Sequence, residues 1–244
     1  MAQTMTVEAS ATRSKSLPAR LAGVVLSPRA AYADVAARPR IFGALAFVLA
    51  VIVIATFAFL STAVGQQASL DNQVRQMESF GRTVDDTQYA RMEAMAPYAR
   101  YFAAGLQLIV TPIMALIVAG LAYAVFNAAL GGDATFKQVY AIVVHSGILL
   151  SIQALFSLPL AYAQGSLAGA TNLGVFFPFL DEHSFAARLL GSLDLFLIWW
   201  MVSLAIGLGV LYRRRTGPIA TTLLVIYVTI GLIIAAIKTA SSGV

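Results

Sequence analysis

The most chemically suggestive stretch of the chain is Gly131-Gly132-Asp133-Ala134-Thr135-Phe136-Lys137, which brings a paired glycine, an acid, a hydroxyl and a lysine together. Those are ingredients of a phosphate cradle, where backbone N–H groups and a lysine converge on an anion. The spacing argues otherwise. A phosphate loop needs G-x-x-x-x-G-K-[ST] between a strand and a helix. Here the glycines are adjacent, no hydroxyl follows Lys137, and the preceding residues are an uncharged apolar run. As a helix–turn–helix link the stretch makes better sense. Gly131 takes the left-handed position that ends one helix, and Thr135 with Gln138 forms a capping box for the next. A link so short makes its two helices antiparallel neighbours.

Four polar side chains inside apolar runs are the other candidates: His145, Asp194, Asn127 and Gln107. Ionisable groups at membrane depth are functional candidates by default. His145, two turns into its helix, reads more simply as a neutral imidazole bonded to Asn127 or Gln153, or lining wet space near the inner surface. Asp194 lies within two turns of Arg188, which can satisfy it near the outer interface; a deeper position would suit a relay or ion path. No serine–histidine–acid set, HExxH or facing carboxylate pair is present, and Asp85-Asp86 and Asp181-Glu182 read as solvated charge. The absence of cysteine excludes disulfides and thiolate chemistry. Two histidines, His145 and His183, are too few for an all-histidine metal cage. No catalytic residue, metal or cofactor is expected.

The elements that hold these residues are set by composition. Of 244 residues, 59% are hydrophobic and 11% charged, against about 25% charged in a soluble domain. The fold class expected is an all-α integral membrane protein. Crossing a bilayer core takes about 20 helical residues, and five segments qualify: 41–64, 101–130, 138–164, 189–212 and 216–237. Pro112 inside the second predicts tilt, a kink, or an end outside the lipid. Residues 65–98 read as a soluble, partly helical outer loop, and 165–187 as a flexible segment turning aromatic at Phe176, Phe177 and Phe179. Trp199-Trp200, near mid-span, suits packing or lipid contact.

Residues 1–16 read as a disordered tail. In the leader, 17–40, Leu17, Leu21, Val24 and Val25 fall at helical spacing with Arg20 off that stripe. Ser27-Pro28 then opens a second helix. Ala31, Tyr32 and Val35 form its apolar side, Arg29 and Asp34 face water, and Arg38-Pro39-Arg40 closes it. Two readings stay open: two basic amphipathic helices lying on an anionic leaflet, or a charged leader with weak helicity.

Orientation is decided by lysine and arginine. With the N-terminus inside, Arg13, Lys15, Arg20, Arg29, Arg38, Arg40, Lys137, Arg213, Arg214 and Arg215 lie on the cytoplasmic side. Arg75, Arg82, Arg91, Arg100, Arg188 and Lys238 lie outside, with most of the acids. The C-terminus is then outside. The Tyr212-Arg213-Arg214-Arg215 hairpin sits beside head groups, where each arginine contributes roughly 1 kcal/mol toward an anionic surface. No groove-reading or aromatic–basic module points to nucleic acid.

Two stretches resemble bacterial members of the Yip (Ypt-interacting protein) superfamily: Leu26-Ser27-Pro28-Arg29-Ala30-Ala31-Tyr32 before the first span, and Gly131 through Val139 opening the third. In that family a "sPreaf…rP" leader precedes five membrane helices, and a "GGkgsFkqvl" turn joins the second and third. His145 departs from an aromatic residue there, and the 65–98 loop is longer than usual. The resemblance implies a multi-pass protein of the bacterial inner membrane with no reaction and no catalytic residues. Its partners would be the bilayer, anionic head groups at the cytoplasmic face, and further copies or other membrane proteins. Gly105, Gly120, Gly207, Gly209 and Gly231 would permit close helix packing. The function expected is a non-enzymatic scaffold; the alternative is a small-solute or ion channel or transporter using His145, Asp194 and Gln107.

Overall fold

The computed structural model describes residues 15–167, 169, 171–181 and 184–241, and these are helical almost throughout. Most of the predicted tail, together with Glu182 and His183, lies outside the described residues. The leader forms two short helices, α1 (Leu17–Leu26) and α2 (Pro28–Ala37). Ser16 caps α1 through the Ala19 N–H. Ser27 occupies the N-cap of α2 without a side-chain cap bond, and Pro28 supplies a first-turn residue that has no N–H to satisfy.

α3 (Phe42–Leu60) is apolar on every side. Thr62 then caps α4 (Ala63–Ser79) through the Gly65 N–H, and Asp85 caps α5 (Asp86–Met95) through the Gln88 N–H. The 65–98 segment is therefore mainly helix, leading through a single 3₁₀ turn at Ala96–Tyr98 into α6 (Ala99–Tyr123). α6 passes Pro112 without ending and widens into a π turn at Ala124–Ala129. The third apolar segment is broken at Gly147 into α7 (Phe136–Ser146) and α8 (Ile148–Gln164). There a Cβ would press to 3.0 Å from the Val144 carbonyl oxygen and 3.3 Å from Val48. α9 (Phe185–Ser192), α10 (Leu195–Leu211) and α11 (Thr216–Ser241) complete the chain.

Among the described residues, four helical runs are long and apolar enough to cross a membrane: Phe42–Leu60, Asp86–Ala129, Phe136–Gln164 and Thr216–Ser241. The segment predicted as an unbroken span over 189–212 is instead cut at Leu193-Asp194. Beyond the cut, α10 has 17 residues, short of the roughly 20 that a straight crossing needs. The cause is local. Asp194 adopts an extended backbone (φ −95°, ψ 132°) and turns its carboxylate onto the first free N–H groups of α10.

α3 packs against α6 and α8, α6 against α7, and α10 against α11, α7 and α2. The main core joins Leu21, Val24, Tyr32 and Val35 of the leader to Ile142, Leu149, Leu204 and Leu208 of the bundle. The leader is thus part of the packed protein. Arg20, predicted off the apolar stripe, is 2% exposed, and Asp34, predicted to face water, is paired with it. A smaller cluster of Phe59, Leu60, Ala68 and Ala161 closes the opposite end.

Candidate functional site

Two of the four polar candidates, His145 and Asn127, lie with the glycine turn at one end of the bundle, beneath and beside α1–α2. Arg20 donates from Nε to Asp34 Oδ2 at 2.7 Å and from Nη1 to the Arg38 carbonyl at 3.1 Å. The Tyr32 side chain reaches down from α2 to meet the Ser203 hydroxyl at 2.8 Å, in the middle of α10. Burial pushes its phenol well above the ordinary tyrosine pKa, against a smaller opposing effect of the Ser203 bond. Its ring rests where Gly207 leaves room: a Cβ there would lie 3.1 Å from Tyr32 Cδ1 and 2.6 Å from Ile142 Cγ2.

His145 lies in this layer and is completely buried. Its Nδ1 bonds at 2.7 Å to the Ala141 carbonyl, one helical turn back, not to Asn127 or Gln153. A carbonyl only accepts, so Nδ1 carries the proton. Nε2 is left as an acceptor with no partner among the described residues. Next to it, Trp200 Nε1 donates to Ser146 Oγ at 2.9 Å, and that hydroxyl donates to the Val143 carbonyl at 2.7 Å.

The glycine turn is a docking joint. The N–H groups of Gly131 and Gly132 point back to the carbonyls of Asn127 (3.1 Å) and Phe126 (2.8 Å), so neither is free for an anion. Gly131 is left-handed (φ +67°). At Gly132 a Cβ would strike the Tyr212 ring at 2.7 Å. Asn127 donates to the Ala134 carbonyl at 2.7 Å and accepts from Tyr212 Oη at 2.6 Å. Thr135 and Gln138 form a capping box, and Gln138 Nε2 also donates at 3.0 Å to the Ala36 carbonyl of α2. Asp133, Phe136 and Lys137 are exposed on this turn, Phe136 stacking on Tyr140. Arg214 donates to the Leu130 carbonyl at 3.0 Å, and Arg29 to Thr216 Oγ1 at 3.4 Å. Leader, glycine turn and arginine hairpin therefore share one end, which carries Arg29, Arg38, Arg40, Lys137, Arg213, Arg214 and Arg215 with Asp34 and Asp133 as its acids among the described residues.

Asp194 belongs to a separate knot. Its Oδ1 accepts from the N–H groups of Phe196 (2.8 Å) and Leu197 (3.1 Å), and Oδ2 from the Thr171 hydroxyl. Its own N–H donates to Tyr227 Oη at 2.8 Å, which in turn donates to the Ser192 carbonyl at 3.0 Å. The carboxylate is satisfied by this cap and not by Arg188. Gln107 donates to Thr56 Oγ1 at 3.3 Å between α6 and α3. His145, Asp194 and Gln107 thus bond in three different places.

The residues that sequence reasoning missed are Arg20, Asp34, Tyr32, Ser203 and the Ser146–Trp200 pair. A signal for Arg20 was present. It sits three residues after Leu17 and four before Val24, which places it on the buried face of α1.

A leader helix before the first span and a glycine turn between antiparallel helices, docked on one another, make a layout of the kind the family resemblance implies. A family model, the Yip1 domain, matches residues 22–237. No curated protein and no solved structure matches. From just inside α1 to near the end of α11, the chain belongs to the Yip1-domain family of multi-pass membrane proteins.

Proposed function

We propose that the chain is a non-enzymatic membrane scaffold of five crossings, α10 making the fourth with its 17 residues at the short end of the spanning range of about 17–25. It would lie in a bacterial inner membrane with the N-terminus in the cytoplasm and the C-terminus outside, acting through helix–helix contacts and its basic end. One observation carries this reading. Asn127, Gln107, Ser146 and Asp194, in or at the ends of the apolar helices, bond across to other elements of the chain, and the leader, the glycine turn and the arginine hairpin bring their basic residues together at one end. Cytoplasmic placement of that end agrees with the bias of lysine and arginine toward that side.

The test is photo-crosslinking in native membranes from position 137, exposed on the basic end. A scaffold gives discrete protein adducts, of this chain or of another membrane protein. Adducts to lipid alone, or solute flux in reconstituted vesicles that His145→Ala removes, would overturn the reading.

A further inference from the structure

A groove of about 650 Å³ runs between α6 and α11, with Trp200, Leu204 and Leu208 of α10 as its floor. Its walls are apolar, and the charged residues lining it are Arg214 and Arg215, at the end where the α10–α11 hairpin closes it. We infer that this groove holds one anionic phospholipid, an acyl chain lying along α11 and the head-group phosphate between Arg214 and Arg215.

Three observations favour a lipid over a helix. The volume lies within the range of about 300–1,000 Å³ typical of small-molecule sites. The groove tracks α11 from Pro218 to Ile230, about 18 Å at 1.5 Å per residue. That is close to one leaflet, half of the roughly 30 Å hydrocarbon core, whereas a partner helix would use the whole depth. The charge is confined to one end, as a molecule with an anionic head and an apolar tail requires. Arg215 is fully available at the mouth. Arg214 spends one nitrogen on the Leu130 carbonyl, and its other donors remain to form charge-assisted bonds with phosphate oxygens. Asp133, on the neighbouring glycine turn, does not line the groove.

A lipid here goes beyond the scaffold reading and is independent of it: adducts at position 137 and occupancy of the groove succeed or fail separately. The chain has two tryptophans, so Trp199→Phe leaves Trp200 on the groove floor as the single reporter. That variant is reconstituted in phosphatidylcholine vesicles containing acyl-brominated phosphatidylglycerol or acyl-brominated phosphatidylcholine, and fluorescence quenching is measured. The glycerol lipid should half-quench Trp200 at a several-fold lower mole fraction than the choline lipid. Arg214→Gln with Arg215→Gln should abolish that preference, while Arg40→Gln with Lys137→Gln, which changes the same surface away from the groove, should keep it. Equal quenching by both lipids overturns the site, as does equal loss in both double variants. No quenching by either lipid also overturns it, pointing to a groove filled by a second copy or closed.

Discussion

The hydroxyls of Tyr32 and Ser203 meet at 2.8 Å across 171 residues of sequence. Both side chains are buried, so the bond has no water to compete with it. Ser203 lies about 12 Å inside the end of α10 at 1.5 Å per residue, so the leader is anchored in the bundle's interior.

Removing that anchor should separate hydrogen bond from packing. Tyr32→Phe should cost about 0.5–1.5 kcal/mol, the net value of an intramolecular hydrogen bond. Tyr32→Ala should cost about 3–5 kcal/mol, as for other large buried rings. Denaturant unfolding in detergent measures both. Trypsin supplies a local readout, since the bond after Arg20 is buried in the docked leader. It should stay resistant in Tyr32→Phe and be cut in Tyr32→Ala while α3 to α11 remain intact. Equal resistance in the two variants would show that Tyr32 does not hold the leader down.

Arg20 and Asp34 carry the second prediction. The pair is part-buried, with 2% and 18% of the two side chains exposed. Removing one partner leaves the other charge without compensation, at a cost of about 3–5 kcal/mol, whereas replacing both by apolar residues is often near neutral. Asp34→Asn should therefore lower the unfolding midpoint strongly. Arg20→Met combined with Asp34→Leu should recover most of the loss. A double variant as unstable as the single one would mean that the bond from Arg20 to the Arg38 carbonyl, not the ion pair, fixes the leader.

These two contacts mark the limit of what a sequence can announce. Runs of uncharged residues signal helices, because every backbone group in lipid must find its partner inside its own segment. The turn was legible for the same local reason: Gly131, Thr135 and Gln138 act on neighbours within four residues. Tyr32 with Ser203, and Trp200 with Ser146, depend on which helices end up side by side, and no local period encodes that. The break at Leu193-Asp194 was hidden differently. Its cap is completed by Thr171 and Tyr227, 23 and 33 residues away.

Asp194 separates capping from transport. Aspartate and asparagine are about equally good N-caps, whereas loss to alanine costs about 0.5–2 kcal/mol. Asp194→Asn should therefore stay close to native stability, and Asp194→Ala should be clearly weaker in the same unfolding assay. A proton or ion relay demands the reverse emphasis, since asparagine cannot titrate. Reconstituted flux that Asp194→Asn eliminates, with stability unchanged, would contradict a capping role and revive the transport alternative.

The last prediction concerns sidedness. Lys137, Arg29 and Arg213 to Arg215 sit at the same end as the leader, while α4 and α5 with Asp71, Glu78, Asp85, Asp86 and Glu93 lie at the other end of α3. Lysine and arginine are in excess on the side of synthesis, and the leader end holds the larger share of them. Because the chain has no cysteine, Ser16→Cys and Thr83→Cys each introduce a single thiol, both at exposed positions. In intact spheroplasts a membrane-impermeant maleimide should label the thiol at 83 and spare the one at 16 until the membrane is opened. Labelling of both from outside would place the basic end on the wrong side of the bilayer and remove the electrostatic ground for the orientation.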